Sequence, residues 1–519
     1  MSGRNRELPD LRWLLAIIVV LVLLLITIAV NNDRIVTDTT ILSDSLDIDN
    51  GDLKINWDSL PTYDIELTES LTINKSGTYH LTGNLDNGSI LIKSAKAQVK
   101  LLLDNVVITS SSGPVIKWDE ADDLVIETIG ENTLADSSDY SKIIDEDVTG
   151  AIYSKADLTF QGDGTLNLTA NYQDAIVGKD DVKFNSGRYQ IIAEDDAIRG
   201  KDSVYIVGGD FDITSNNDCM KVTNDVDAGK GFILIENGNF SLVSKKAKAI
   251  KTVKTILLKD GNYSISTYDD AIHSDNYLSI TGGTFNITSG DDGIHANREL
   301  IVDGGNIYIS KAYEGLEAQV VTINNGEISL MTNDDGINAG GGADESSKNR
   351  PGANPFNADE NCVISINGGN IYINSAGDGI DSNGWLYFNG GTTVVDGPTN
   401  NGNGALDAGM NVIINGGEVL AVGSSGMATT LSDTSNLFNV SIYLNTIQPA
   451  GTNITLRNQK GEIVLEHNSA KQFSHLTFGS PKLQPGETYT LYLNEEEHTA
   501  FTISNITTEV GKTVDNFKR

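Results

Sequence analysis

The sequence predicts an all-β chain wound as a right-handed parallel β-helix, a solenoid with coils of about 22 residues. Three observations carry that expectation. Acidic markers recur in phase at Asp174, Asp196 and Asp218, and again at Asp270, Asp292, Glu314 and Asp335, in steps of 21 or 22 residues. An eight-residue insertion between the two series leaves Lys248 in the marker slot. Short runs such as Leu278-Ser279-Ile280 and Phe285-Asn286-Ile287 alternate apolar and polar residues, as half-buried strands do. Gly-Gly pairs separate these runs at 208–209, 282–283, 304–305, 368–369, 390–391 and 416–417, where a chain changing face needs positive φ. A unit this short cannot bury its inward face alone, so each coil must stack on the next.

The elements follow in chain order. Residues 13–30, WLLAIIVVLVLLLITIAV, form 18 uncharged residues, long enough to cross a bilayer. Arg4, Arg6 and Arg12 precede them, which keeps residues 1–12 in the cytoplasm and sends the rest outward. The expectation is an uncleaved single-pass signal anchor in the cell membrane, with the repeats extracytoplasmic. A cleaved signal peptide ending near Ala29 is the alternative and would leave the protein secreted. Residues 31–61 are acidic and weakly patterned, and read as a tether. Residues 62–430 are assigned to the β-helix, interrupted by a flexible Gly/Asn/Ser loop at 339–360. Over residues 437–505 the period gives way to strands 9–15 residues apart, which predicts a small β-sandwich-like cap.

Composition narrows the function. A net charge of −35 disfavours nucleic acid and anionic membrane surfaces and suits cation binding. The two cysteines, Cys219 and Cys362, fall at least six coils apart, roughly 25–30 Å. That is beyond disulfide reach, so both are expected as small buried thiols.

The markers stack. Equivalent side chains on adjacent coils sit about 4.8 Å apart, where two carboxylates repel by roughly 3 kcal/mol at an effective dielectric near 20. A calcium–oxygen distance is about 2.4 Å, so a cation between them meets both. The expected Ca2+ ligands are Asp174, Asp195, Asp196, Asp218, Asp269, Asp270, Asp291, Asp292, Asp334 and Asp335. The ammonium of Lys248 would replace an ion in its own coil. The competing reading makes each aspartate a turn former that caps backbone amides. Three residues past the markers runs a second file: Arg199, Lys221, Lys251, His273, His295, Glu317 and Asn338. Arg199, Lys221 and Lys251 would receive uronate carboxylates, or else neutralise the acidic file beside them. Under a lyase reading Arg199 or a lysine would be the general base. His273 and His295 lack a third zinc-type ligand and are expected as hydrogen-bonding surface residues. Tyr277 and Trp385 share an outward phase and would offer faces on which sugar rings stack. No Ser-His-Asp order, phosphate loop or CxxC occurs.

The chain also resembles a known family. SGTYHLTGNL, VKLLLDNVVITSSSGPVI and ENTLAD are similar to its first coils. DDAIHSDNYLSITGGTFNITSGDDGIHA and YEGLEA are similar to its central ones, and PAGTNITLRNQKGEIVL with SPKLQPGETYTLYL to its carboxyl cap. This is the family of exported, calcium-containing carbohydrate-binding β-helix proteins, pectate-lyase-like in fold. The resemblance implies a polysaccharide partner, either cellulose or a polygalacturonate-like acidic glycan. The expectation is a non-catalytic, calcium-stabilised binding protein. A calcium-dependent lyase and a structural adhesin without a sugar ligand are the alternatives.

Overall fold

The computed structural model describes residues 46–48, 54–94, 96–120, 123–340 and 358–511. The anchor expected at 13–30 and most of the 339–360 loop lie outside them. Among the described residues no helix is long and apolar enough to cross a membrane. The strands belong to the unit that begins at Asp47.

The solenoid makes about 14 turns, and each regular coil supplies three strands, as in Ile272–Ser274, Tyr277–Ile280 and Thr284–Thr288. The sequence pattern led us to expect two. The additional strand is the three-residue segment just after the marker, too short to display an alternation. Like pairs with like in parallel register: Ile272 on Ile294, Leu278 on Leu300, Phe285 on Ile307. The first two strand types belong to one sheet, because Ile294–Val302 and Leu316–Ile323 run through both without a break. The third type forms the other wall.

Inside, the phenylalanine slot of the third strand builds a ring ladder. Phe211, Phe240, Tyr263 and Phe285 stack with centroids 5.0, 4.8 and 4.4 Å apart, close to the spacing of paired strands. The Gly-Gly turns behave as predicted: Gly283, at φ +97°, would bring a Cβ within 2.9 Å of the Gly261 carbonyl oxygen. Beside these turns, Asn367, Asn389, Asn415 and Asn436 each donate a side-chain N–H to the asparagine one coil below at 2.7–2.9 Å.

The carboxyl end does more than close the last coil. Glu418–Gly423, the final third-type strand, pairs antiparallel with Phe473–Gly479, and Asn439–Gln448 and Thr507–Val510 extend the wall further. A second, four-stranded antiparallel sheet covers it. Alternation makes Glu418–Gly423 serve both cores: Val419 and Ala421 face the solenoid, while Leu420 and Val422 face the sandwich. At the other end, part of the expected tether packs on the first coils, with Trp57 5.1 Å beneath Lys100 Nζ. Cys219 and Cys362 are free and buried.

Candidate functional site: a charged column and its counter-ions

The markers form one file at the coil corner, and its aspartates each use one oxygen in the same way. The backbone N–H of Asp196 donates to Asp174 Oδ1 at 3.1 Å, that of Asp218 to Asp196 Oδ1 at 3.0 Å, and that of Lys248 to Asp218 Oδ1 at 3.0 Å. Farther on, Asp292 N–H donates to Asp270 Oδ1 at 3.0 Å and Asp378 N–H to Asp335 Oδ1 at 2.7 Å. The carboxylates therefore cap the next coil, satisfying amides that a corner leaves without strand partners.

The second oxygen divides the file. In the first half it meets a cation of the chain itself. Arg199 Nη2 lies 2.6 Å from Asp174 Oδ2, and Lys221 Nζ bridges Asp196 and Asp218 at 3.2 and 3.0 Å. Lys248 Nζ holds Asp269 and Asp270 at 2.9 and 2.8 Å. The strand register stacks Arg199, Lys221, Lys251 and His273 in one file, so these cations arrive one per coil. Lys251 is half-buried in that file. Burial pushes the Asp270 carboxyl up, but the His273 hydrogen bond and the Lys248 charge outweigh it and hold the group below the usual range.

The histidines are not surface residues. His273 and His295 are 2% and 1% exposed and stack at 4.7 Å. The ring of His273 contacts Asp270 through Nδ1 at 2.8 Å, and His295 Nδ1 sits 3.2 Å from Asp292 and 2.7 Å from Glu317. Burial lowers the His295 pKa, but hydrogen bonds to Asp292 and Glu317 override it and raise it well above the ordinary value. His295 thus acts as one more internal cation.

Beyond Glu317 the cation file ends: Asn338, Asp381 and Asp407 continue it in register. Burial raises the carboxyls of Glu314 and Asp335 well above the carboxylate range, and neighbouring carboxylates add to it. Burial with like charge also pushes Asp378 up to about 6 and Asp381 up to about 7. Among the described residues, the charges that weigh most on Asp335, Asp378 and Asp381 are carboxylates.

Two details give this end the character of a receptor. Asn338, 6% exposed, donates from Nδ2 to Glu314 at 2.8 Å, yet its Oδ1 is buried without a hydrogen-bond partner among the described residues. At Gly377 a Cβ would lie within 2.5 Å of both Asp334 Oδ1 and Asp335 Oδ1, so the glycine keeps open a cradle where two oxygens converge. Hard oxygens from carboxylates and one carboxamide are the donor set of a calcium site.

The sequence reading put Asp334 and Asp335 here as candidate ligands, and the structure brings Asn338, Asp378 and Asp381 into the same files. The available signal for the last two was Asp378-Gly379-Ile380-Asp381, which repeats the marker layout with its three-residue offset. Elsewhere Asp174, Asp195 and Asp196, and likewise Asp269, Asp270 and Asp291, bring oxygens within 4.8 Å of one another. Tyr277 and Trp385 share one file four coils apart. Arg298 covers the Tyr277 ring at 5.4 Å, and Trp385 stacks on Tyr387 at 5.9 Å.

A family model described as "Carbohydrate-binding domain-containing protein" matches residues 68–315 and 243–347, together more than half of the chain. A protein of that description from Acetivibrio thermocellus is 33% identical over 232 residues, 44% of this chain and 80% of the relative. The chain belongs to this carbohydrate-binding domain family. A solved structure described as the polysaccharide lyase-like protein from C. thermocellum, a gadolinium derivative, is 26% identical. It covers 42% of this chain and 96% of that one at a TM-score of 0.40, too partial a likeness to carry an argument about geometry.

Proposed function

We propose that the protein is a non-catalytic polysaccharide-binding solenoid, held by residues 13–30 at the outer face of the cell membrane and stabilised by calcium. Family membership supports the ligand class. The observation that carries the metal is the convergence of Asp334 and Asp335 oxygens at Gly377, with Asn338 Oδ1, three residues on from Asp335, buried without a partner among the described residues. Asp334, Asp335, Asn338, Asp378 and Asp381 would hold the ion. Bound there, it would cancel the mutual repulsion of these carboxylates and offer an outward coordination position to a uronate. Asp174, Asp196 and Asp270 instead have counter-ions within the chain.

The lyase alternative is weakened where it relies on Arg199 as base. The Arg199 guanidinium is committed to the buried Asp174 carboxylate and to Thr149 Oγ1, both at 2.6 Å. Its loss of a proton would strand Asp174 as a charge without a partner.

Retention on immobilised polygalacturonate and on cellulose, with calcium and with chelator, tests the proposal, while absorbance is followed for unsaturated product. We expect retention on polygalacturonate in calcium, release by chelator, and no product. Product formation abolished by Arg199→Ala would establish the lyase instead. Failure to bind either polymer would leave the adhesin reading.

A further inference from the structure

We infer that the outward face of the third-strand wall, where it runs beneath the carboxyl-terminal sandwich, is a binding trough for a neutral, extended glycan chain. The inference rests on the glycan-binding reading above and adds a site remote in kind from the acidic column.

The trough has a volume of about 560 Å³. It continues into a second stretch of about 450 Å³, sharing Thr284 and Asn286 with it. Its floor is set by parallel register: Asn286, Tyr308, Ser329 and Tyr372 form one file, with Asn306 and Asn370 in the file alongside. Amides and hydroxyls that point away from the core are what vicinal sugar hydroxyls require, since each supplies both donor and acceptor. Tyr308 is 41% exposed and presents a ring to the trough.

Spacing and charge select the occupant. Coils rise about 4.8 Å, and a pyranose in an extended β-linked chain advances about 5 Å, so each coil meets one sugar. Tyr308 and Tyr372 lie two coils apart, about 10 Å, where alternate sugars of a two-fold chain present the same face. Among the described residues no lysine or arginine lines the first stretch, where the Glu327 carboxylate accepts from Asn370 Nδ2 at 2.6 Å, and in the second stretch Arg188 faces Asp210 at 3.8 Å with Asp212 nearby. A polyanion would find no cation in the first stretch, and in the second only an arginine already facing Asp210. A peptide strand would find no free sheet edge, because these strands are paired on both sides.

The sandwich builds the end wall. Asp396, fully buried, accepts from Tyr372 OH at 2.9 Å, from His467 Nε2 at 3.0 Å and from Ser469 Oγ at 3.2 Å. One carboxylate thus fixes a floor ring from the solenoid and a wall imidazole from the cap. Such pre-organisation lowers the ordering cost of binding.

Calorimetric titration of the full chain in detergent with cellohexaose tests this, using wild type, Tyr308→Ala, Tyr308→Phe and Asn286→Ala. We expect Tyr308→Ala to weaken binding about tenfold and Asn286→Ala severalfold, with Tyr308→Phe near wild type because the ring is kept. Both exposed positions tolerate truncation, and unchanged melting curves will verify folding. Cellohexaose bound equally well by Tyr308→Ala and Asn286→Ala would overturn the trough while leaving glycan binding intact. A concentration-dependent dimer abolished by Tyr308→Ala would show that a second copy occupies the face. Wild type that binds neither cellohexaose nor polygalacturonate would remove the glycan reading itself.

Discussion

Replacing Asp381 by asparagine should have opposite consequences with and without calcium. In the metal-free protein Asp381 is pushed up to about 7 by burial and by Asp378, Asp407 and Asp334. Against an unfolded value near 3.8, that shift corresponds at pH 8 to on the order of 4 kcal/mol of destabilisation. A direct Coulomb figure agrees: unit charges one coil apart, about 4.8 Å, repel by roughly 3–4 kcal/mol at an effective dielectric near 20. Asp381→Asn removes that charge, so in chelator the variant should melt several degrees above wild type. With calcium the order changes. An ion at a hundred times its Kd stabilises the wild type by about 2.7 kcal/mol, and the variant, short of one anionic donor, should gain much less. The assay is scanning calorimetry at pH 8 in chelator and in millimolar calcium, with magnesium as a weaker comparison. A variant that melts below wild type in chelator, or equal calcium shifts in both proteins, would refute the reasoning.

Three further outcomes are expected. Metal-free protein should gain stability as pH falls from about 8 toward 5, because Asp378 and Asp381, at about 6 and about 7 when folded, take up protons before the unfolded chain does; melting curves against pH check the sign, and saturating calcium should flatten it. Arg199→Ala strands the buried Asp174 and should cost about 3–5 kcal/mol in denaturant melts, with Arg199→Lys recovering part of it. Asp396→Ala should loosen the sandwich from the solenoid, seen as faster amide exchange over Ile463–Asn468 with the early coils unchanged.

How much of this was legible beforehand follows from which constraints are periodic. The 22-residue step is imposed by coil circumference, and the second glycine of each pair by positive φ, so both left a record in the chain. The short strand Ile272–Ser274 left none, since three residues cannot show alternation. In the column, markers and cations were visible as files, but their partnering was not. Whether Arg199 reaches outward to a ligand or back to Asp174 is decided by side-chain direction, which spacing does not encode. The histidines were misjudged because their burial comes from stacking on each other and from carboxylates of their own coil and, for His295, of the next. Asp378 and Asp381 were passed over because the step from Asp335 to Asp378 is 43 residues, and the phase seemed broken there. The trough needed tertiary structure: Asp396 and His467 are 71 residues apart and meet only because the sandwich folds back over the wall.

The division of the column also localises the metal requirement. In a solenoid each coil touches mainly its neighbours, so stability is close to a sum of local terms and a local defect need not unfold the whole. The coils from Asp174 to Lys221 carry counter-ions of the chain itself and should lose less when calcium is removed, although burial still pushes Asp196 up to about 6. Those that carry Asp335, Asp378 and Asp381 are left with carboxylates facing carboxylates. Chelation should therefore open the chain from its carboxyl-terminal coils. Amide exchange at pH 8 should rise over Asn370–Ser375 and Ile380–Ser382 while Ile198–Gly200 and Met220–Val222 stay protected. Uniform loss of protection along the solenoid would mean that the internal cations do not neutralise the first half, and that the whole column depends on bound metal.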